Sequence, residues 1–534
     1  MFWNKGKEEK KLEEKPDVST VKPADDQGKD EEKSIYQVIS ENIKDGRFPE
    51  GFEPIVERIN DEYVFSPGGR DGMMIYQFGF RDIGEEEKRT LQIVLKNINK
   101  GNYLEADSGL NKYFEQREMI ETIDYFQNFI IEHSDEYNAD RLYRFAMWEI
   151  AASKNIECVK FGLSFLELLD IRERDEIKKV IRILSRYDEF TLFGLFCMMK
   201  WPNAEEEMLC VGRRVSGWGR IHVVNYIEPK TDETREWILK EGVLNHIGYA
   251  YSAYDCYIKC SLSERLSETM DDEEFEGTVN IMTGLLDEGP AKGISRVEDR
   301  DVLINKYIMQ FNDRKVSLNA YNTVLEIFRL LDGEEDKNEI LIEKCRGVLL
   351  RPDCENVVRK SLKEGEGDRL ANALNIDISD DYFRLLESDF DKYSGLAIPL
   401  MREEKNVDRT VSIFEREYQK FSHDDKEFHG YGSDEVNMVF CVQELRRYPG
   451  KGVSLLKSCI HSPAIQLRNM ILRVVEGWME NSGKSLLDIS PELQEALLDM
   501  LETEKDEDLR LRIKGVLCNK IYKKPPLKIE DLAD

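Results

Sequence analysis

The sequence predicts a mostly α-helical protein, an α-solenoid of HEAT- or armadillo-like helix pairs with a small N-terminal β-hairpin element. From about residue 85 onward apolar residues recur at helical spacing, as at Ile177, Val180 and Ile181, with charged residues between them. Loops rich in Asn, Asp, Gly and Pro separate these segments. Antiparallel helices that each bury one apolar stripe stack into an array with a repeat of about 40–47 residues.

Four segments follow one another along the chain. Residues 1–33 are rich in Lys, Glu and Asp and contain almost nothing to bury, which predicts a disordered charged tail. Residues 34–84 form a small α/β N-terminal element. Residues 85–330 are predicted to be one helical repeat region, and residues 331–534 a second, C-terminal one.

The hairpin prediction rests on a turn between two β-like stretches. Residues 63–65 and 73–80 are rich in aromatic and apolar side chains, and residues 66–72 between them contain Pro and three Gly. This composition is typical of two short strands around a turn.

Two Ser-Pro pairs predict helix starts in the C-terminal region. Ser462 precedes Pro463, and Ser490 precedes Pro491. A serine hydroxyl caps a helix well, and proline is favoured at the first helical position. We therefore expect one helix to begin at each proline.

Composition limits the classes of partner and compartment. The formal net charge is −30 and the pI is near 4.8, so we expect no binding to nucleic acid or to an anionic membrane surface. No apolar stretch has the length of a secretory signal or a membrane span, which predicts a cytoplasmic protein without membrane insertion. The ten cysteines are scattered through apolar segments and are expected to be buried thiols.

Motifs for cofactor and metal chemistry fail on their spacing. Five residues separate Gly477 from Gly483 before Lys484, whereas a phosphate loop has four between its glycines. This stretch instead indicates a helix that ends at Gly483. His423 and Asp424, with His429 or His461, imitate the two-histidine, one-carboxylate triad of an iron site, but a solvated loop is the expected structure. No metal site is predicted, the catalytic residues are unknown, and no cofactor is evident.

Two segments are apolar or aromatic around nearly their whole circumference, residues 190–201 and 249–257. Such helices are buried on all sides, so they could line a pocket for an apolar ligand or simply pack in the core. The pocket candidates are Phe193, Phe196, Trp201, Tyr251 and Tyr254.

A small basic island lies between these segments. Arg213, Arg214 and Arg220 occur close together, with His222 after them. They are candidates for binding a carboxylate or phosphate anion through bidentate contacts. The alternative is ion pairing with neighbouring acidic side chains.

The region around this island resembles a bacterial family of HEAT-like proteins, some of whose members carry the label limonene hydroxylase. The resemblance lies in residues 212–224, GRRVSGWGRIHVV, and residues 234–243, TREWILKEGV. The length, the lysine-rich opening and the Ser-Pro pairs also fit this family. It implies monooxygenation of limonene to perillyl alcohol and carveol, with further oxidation of these alcohols, and it transfers no catalytic residues.

Two functions therefore remain open. By resemblance the protein is a monoterpene oxidoreductase, a limonene hydroxylase whose substrate is limonene or a related monoterpene. That reaction needs a cofactor, so NAD(P)H or a redox partner would have to supply electrons. The alternative, which the residue chemistry favours, is a non-catalytic helical-repeat scaffold whose concave face binds another protein.

Overall fold

The computed structural model describes residues 33–44, 46–49, 51–52, 57–58, 64–171, 173–312, 314–420 and 434–521. The predicted disordered tail lies almost wholly outside these residues, as do His423, Asp424 and His429. The described chain is mostly helical, as predicted. Its internal contacts divide it into two compact units, Met1–Leu350 and Arg351–Asp534. The predicted boundary at residue 330 stays a prediction.

The first unit contains the helices from α1 to α18. They are α1 (Ile35–Asn42), α2 (Gly69–Met73), α3 (Glu85–Lys100), α4 (Tyr103–Phe114), α5 (Met119–Glu132), α6 (Ala139–Ala152), α7 (Ile156–Leu166), α8 (Asp175–Leu184), α9 (Asp188–Met198), α10 (Ala204–Gly212), α11 (Trp218–Tyr226), α12 (Asp232–Glu241), α13 (Ala250–Lys259), α14 (Leu262–Arg265), α15 (Asp272–Leu286), α16 (Arg300–Met309), α17 (Leu318–Asp332) and α18 (Glu339–Leu349).

Alternate helices of the first unit pack against each other in sequence. From α5 through α7, α9, α11, α13 and α15 to α17, each odd-numbered helix contacts the next odd-numbered one. The even-numbered helices α6, α8, α10 and α12 each pack on a neighbouring member of this row. The odd-numbered helices α5 to α17 therefore form a continuous row of contacting helices.

Helix α9 is almost completely buried, and α8 packs against it. Phe190 and Phe193 of α9 are fully buried, as the apolar sequence predicts. On α8, Ile177, Val180 and Ile181 are buried, while Glu176 before them and Lys179 among them are exposed. The predicted apolar stripe is thus confirmed.

The N-terminal segment corrects the hairpin prediction. Strand β1 (Glu57–Arg58) pairs antiparallel with β2 (Val64–Phe65), but residues 73–80 form no second strand. Instead α2 continues into a π-helical turn, Met74–Phe78. The cause is tertiary, because Asp71 is buried on Lys160 and Gly72 lies directly against the Trp218 ring, where a Cβ would overlap it.

The second unit contains the remaining helices of the described chain. They are α19 (Cys354–Ser361), α20 (Asp368–Ala373), α21 (Ser379–Ser388), α22 (Phe390–Tyr393), α23 (Ala397–Leu400), α24 (Val407–Tyr418), α25 (Asp434–Asn437), α26 (Val439–Glu444), α27 (Val453–Cys459), α28 (Ile465–Ser482), α29 (Leu486–Ile489), α30 (Pro491–Thr503) and α31 (Glu507–Leu517). In its core the Trp478 ring nitrogen donates a hydrogen bond to the Leu445 carbonyl at 2.6 Å.

One of the two Ser-Pro predictions is confirmed and the other is wrong. Ser490 caps α30, with Pro491 at its first position, as expected. Helix α28 begins only at Ile465, because Arg468 donates to the carbonyl of Ser462 at 2.7 Å and to that of Pro463 at 3.2 Å. The same helix ends at Gly483 in the left-handed conformation, with φ 65°, as the sequence predicts.

Candidate functional site

An aromatic cleft of about 570 Å³ opens in the first unit. Its walls come from the π-helical turn Met74–Phe78, from α11, from α13 and from residues 290–292. The lining side chains are Ile75, Tyr76, His222, Asn225, Tyr226, Ala250, Tyr251, Tyr254, Asp255, Pro290, Ala291 and Lys292. This size and composition are typical of small-molecule sites, which are mostly apolar with a few polar groups.

The wall around Tyr76 is held by aromatic packing and two hydrogen bonds. The Tyr76 ring meets the Tyr251 ring edge-on at 5.1 Å, and both rings pack on Trp218, at 5.9 and 5.0 Å. Asn225 donates a hydrogen bond to the Tyr76 hydroxyl, and Gln77 donates one to the Tyr251 hydroxyl at 2.8 Å. The N-terminal segment is thereby fixed against α11 and α13.

His222 supplies a polar group without a protein partner at the cleft. His222 is only 2% exposed, and no group in the described part of the chain forms a hydrogen bond with its Nε2 atom. Burial, with the charge of Lys160 as a lesser cause, lowers the pKa of His222 to about 3. The imidazole is therefore neutral at pH 7 and can exchange one hydrogen bond with a ligand.

Two side chains of opposite charge, Asp255 and Lys292, also line the cleft. Burial raises the pKa of Asp255, while Lys259 and Lys292 oppose that rise. Lys259 donates three hydrogen bonds of 2.8 to 2.9 Å to carbonyls at the end of α11, which fixes that end beside α13. The Lys292 ammonium lies 5.4 Å from the centre of the Tyr254 ring.

A lysine with three carboxylates is buried beside this cleft. The Lys160 ammonium is completely buried and lies 2.8 Å from Asp71, 2.8 Å from Glu157 and 2.7 Å from Glu189. It also lies 5.7 Å from the centre of the Phe193 ring. One positive charge faces three acids, so a proton on one of them reduces the excess negative charge.

Asp71 is an acid of this cluster that can hold such a proton near neutral pH. Burial raises its pKa to about 7, Lys160 acts against the rise, and the negative charges of Glu157 and Glu189 add to it. The other two acids bind backbone: Glu189 accepts from the Gly68 amide at 2.6 Å, and Glu157 accepts from the Met119 amide. The cluster therefore ties α2, α5, α7 and α9 together behind His222.

Two of the five predicted pocket residues line the cleft. Tyr251 and Tyr254 do so, whereas Phe193, Phe196 and Trp201 are buried in the core. Phe196 supports the cleft from behind, because its ring packs edge-on against that of Tyr226 at 5.3 Å. Trp201 lies among cations instead, 5.4 Å from both Lys178 and Arg182.

The three predicted anion-binding arginines have separate partners. Arg213 donates to Glu233 at 2.9 Å, the ion pairing that the alternative foresaw. Arg214 donates to the Cys210 carbonyl at 2.6 Å, and Arg220 donates to the carbonyls of Val215 and Leu244 at 2.9 and 2.8 Å. Arg213 thus joins the end of α10 to α12, Arg214 binds within the end of α10, and Arg220 joins the loop before α11 to the residues after α12.

Sequence reasoning placed His222 only beside the basic island and did not identify Tyr76, Asn225 or Tyr226 as cleft residues. His222, Asn225 and Tyr226 lie at i, i+3 and i+4 on α11, a spacing that places them on one face. That spacing was a usable signal. Tyr76 carried no such signal, because its segment has a β-like composition.

No protein-family model matches this chain, and no curated protein matches it.

Among the described residues no group of three or more His, Cys, Asp and Glu side chains is arranged to hold a metal ion. Within those same residues no helix has the length and hydropathy needed to cross a bilayer.

Proposed function

We propose that this protein is a helical-repeat protein that binds a small, largely apolar molecule in the aromatic cleft of its first unit. The observation that carries the proposal is the unpartnered Nε2 of the buried His222 at a cleft walled by tyrosine rings. A buried polar atom without a partner is costly, so a ligand hydroxyl or carbonyl group that pairs with it gains affinity. The rings surround the apolar body of the same ligand.

Two regularities support the repeat arrangement. The odd-numbered helices α5 to α17 contact one another in sequence, as the inner helices of a HEAT-like array do. Several side-chain hydrogen bonds between helices of the row also join residues 37 to 40 positions apart. Gln127 donates to the Ser164 carbonyl across 37 residues, Asn319 to Asn280 across 39, and the Thr283 and Thr323 hydroxyls pair across 40. These separations are close to the repeat lengths of HEAT and armadillo proteins, about 40–47 residues.

The resemblance to proteins labelled limonene hydroxylase supplies a ligand of this chemistry. Limonene is an apolar monoterpene, and its products perillyl alcohol and carveol each add one hydroxyl group. We propose that the cleft of this cytoplasmic protein binds limonene and these alcohols, with the hydroxyl group paired to His222. Electrons for oxygenation would come from NAD(P)H or a redox partner, because a cofactor performs that chemistry while the protein binds and orients the substrate.

Equilibrium dialysis of the full chain tests binding. We expect perillyl alcohol and carveol to bind with one site per chain, and Tyr251→Ala to weaken binding by about tenfold or more because it removes one wall. Tyr257→Ala is the matched control, since Tyr257 lies on the same helix but does not line the cleft. Equal affinity in the two variants, or no binding by the native chain, would contradict the proposal.

Turnover is tested separately with limonene, NADPH and oxygen. Gas chromatography should detect perillyl alcohol and carveol if the chain, alone or with an added reductase, oxygenates limonene. Binding without any product supports a ligand-binding protein and contradicts the hydroxylase function.

A second candidate function, a scaffold that binds another protein, is favoured by an apolar patch at the mouth of the cleft. Ile75, Phe78 and Phe80 are 37%, 70% and 54% exposed, and Ile75 also lines the cleft. Adjacent exposed apolar side chains of this size mark interaction surfaces. Selection from a random-peptide display library against the full chain should enrich peptides whose binding is lost in Phe78→Ser/Phe80→Ser. Absence of such a peptide family would contradict the scaffold function.

A further inference from the structure

A second cavity in the first unit contains a buried carboxyl group that no amide or backbone group of the described chain binds. Glu149, on α6, is only 1% exposed, and within the described residues its side-chain neighbours are Asp107 and the Ser153 hydroxyl. Asp107, on α4, faces it and adds a second carboxyl group. Burial raises the pKa of Glu149 to about 9, and the charge of Asp107 adds to that rise.

The surrounding amides are already committed to other acceptors. Asn111 donates to Asp107 at 2.8 Å, and Asn155 donates to the Asn111 side-chain oxygen at 3.0 Å. Asn155 also caps α7 by accepting from the Glu157 amide at 2.9 Å. This chain of hydrogen bonds fixes the amides and leaves the carboxyl group of Glu149 with only the side chains of Asp107 and Ser153 as partners.

Above the two carboxyl groups the cavity measures about 590 Å³, and Trp148 forms part of its wall. Two acids beside an aromatic ring are a favourable setting for an organic cation, which gains both ion pairing and attraction to the ring face. A divalent metal ion would be served less well, because it prefers six or more oxygen ligands.

We propose that this cavity binds an organic ammonium group, with Glu149 and Asp107 as its charge partners and Trp148 as its aromatic wall. The cation takes the place of the proton that the two acids retain, and that proton leaves to solvent. No bond other than this O–H bond breaks. The site is separate from the aromatic cleft and does not depend on the function proposed for it.

The charged and titratable groups around Glu149 set the direction of the pH dependence. Asp107 faces it from α4, Cys158 and Glu157 lie on α7, and Lys154 is exposed on the loop that precedes α7. Because the acids must lose a proton before they pair with a cation, affinity should rise with pH until the amine itself loses its proton at about pH 10.

Isothermal titration calorimetry of the full chain with putrescine, a free alkyl diamine, tests the proposal. We expect binding to the native chain with release of a proton, seen as a dependence of the heat on the buffer. Glu149→Gln should bind about tenfold or more weakly, since it removes the charge. The glutamine amide is neutral, like the protonated acid that it replaces, so we expect Glu149→Gln to fold. Its melting temperature checks this. Glu105→Gln, an exposed acid on α4, is the matched control and should bind as the native chain does.

Titration with Nα-acetyl-lysine amide distinguishes the source of the ammonium group. Tighter binding of putrescine indicates a free amine, and tighter binding of the lysine derivative indicates a protein side chain. Binding of either probe that Glu149→Gln leaves unchanged would overturn the proposal. So would calcium binding without amine binding, or no binding of either amine.

Discussion

Replacing Lys160 with Met tests the buried cluster that fixes the N-terminal segment. The substitution keeps a long apolar side chain but removes the one positive charge that faces Asp71, Glu157 and Glu189 at 2.7 to 2.8 Å. Removing one partner of a buried ion pair leaves an uncompensated charge and costs about 3–5 kcal/mol. Here three acids lose their common partner, so the free energy of unfolding should fall by about that amount near pH 8.

The cost should shrink as the pH falls. Asp71 has a pKa of about 7 in the folded protein, above its usual value of 3.8, so it can take up a proton and relieve the repulsion. An acid whose pKa is raised by folding destabilises the folded state as pH rises from its unfolded to its folded pKa. Lys160→Met should therefore be less destabilising at about pH 6 than at about pH 8, and adding Asp71→Asn should restore part of the loss.

Urea unfolding followed by circular dichroism measures these differences. Lys88→Met is the matched control, because Lys88 pairs at 2.7 Å with a largely exposed Glu85 on α3. Such a surface pair is worth about 0–1 kcal/mol. If Lys160→Met costs no more than Lys88→Met, or if Asp71→Asn restores nothing, the cluster does not hold the segment as described.

Three further predictions concern the same unit. Gly72→Ala should destabilise the folded chain by about 1–3 kcal/mol in urea unfolding, because its Cβ overlaps the Trp218 ring; an unchanged midpoint would argue against this packing. The pKa of Glu149 is about 9 in the folded protein against 4.5 ordinarily, so the free energy of unfolding of the native chain should decrease as the pH rises between those values. Above about pH 7, Glu149→Gln should have a free energy of unfolding at least about 1.4 kcal/mol higher than the native chain. Parallel pH profiles of the two proteins would refute this. His222 should keep neutral-imidazole NMR shifts down to about pH 5, and stability should fall as the pH drops from about 6.5 towards 3, because only the unfolded chain gains its proton there; titration near pH 6.5 would contradict the burial argument.

Helix content and several helix ends were predictable because their causes are local. The stripe on α8 follows from the spacing of Ile177 and Ile181, and the start of α30 follows from Ser490 and Pro491. Ser462 failed as a cap although its local sequence is equivalent. The difference is Arg468, which binds the carbonyls of that segment and is itself held by Glu504 at 2.9 Å.

Residues 73–80 show how a tertiary contact overrides composition. Their apolar and aromatic side chains favour a strand, yet Asp71 just before them is bound to Lys160 on α7 and Gly72 packs on Trp218 of α11. Both partners are distant in sequence. The local sequence therefore does not predict these two contacts.

The aromatic cleft was half predictable for the same reason. Tyr251 and Tyr254 are conspicuous in an aromatic run on one helix, but the cleft also needs Tyr76 and His222 from two other elements. The pairing of Asp107 with Glu149 was not predictable, because these acids belong to no spaced motif and meet only where α4 packs beside α6 and α7.

A crystal structure of the full chain grown with carveol tests the central claim most directly. The account predicts ligand density in the cleft against the Tyr76 and Tyr251 rings, with the carveol hydroxyl within hydrogen-bond distance of His222 Nε2. Density for carveol at another place, or a cleft filled only by ordered water at saturating carveol, would contradict it.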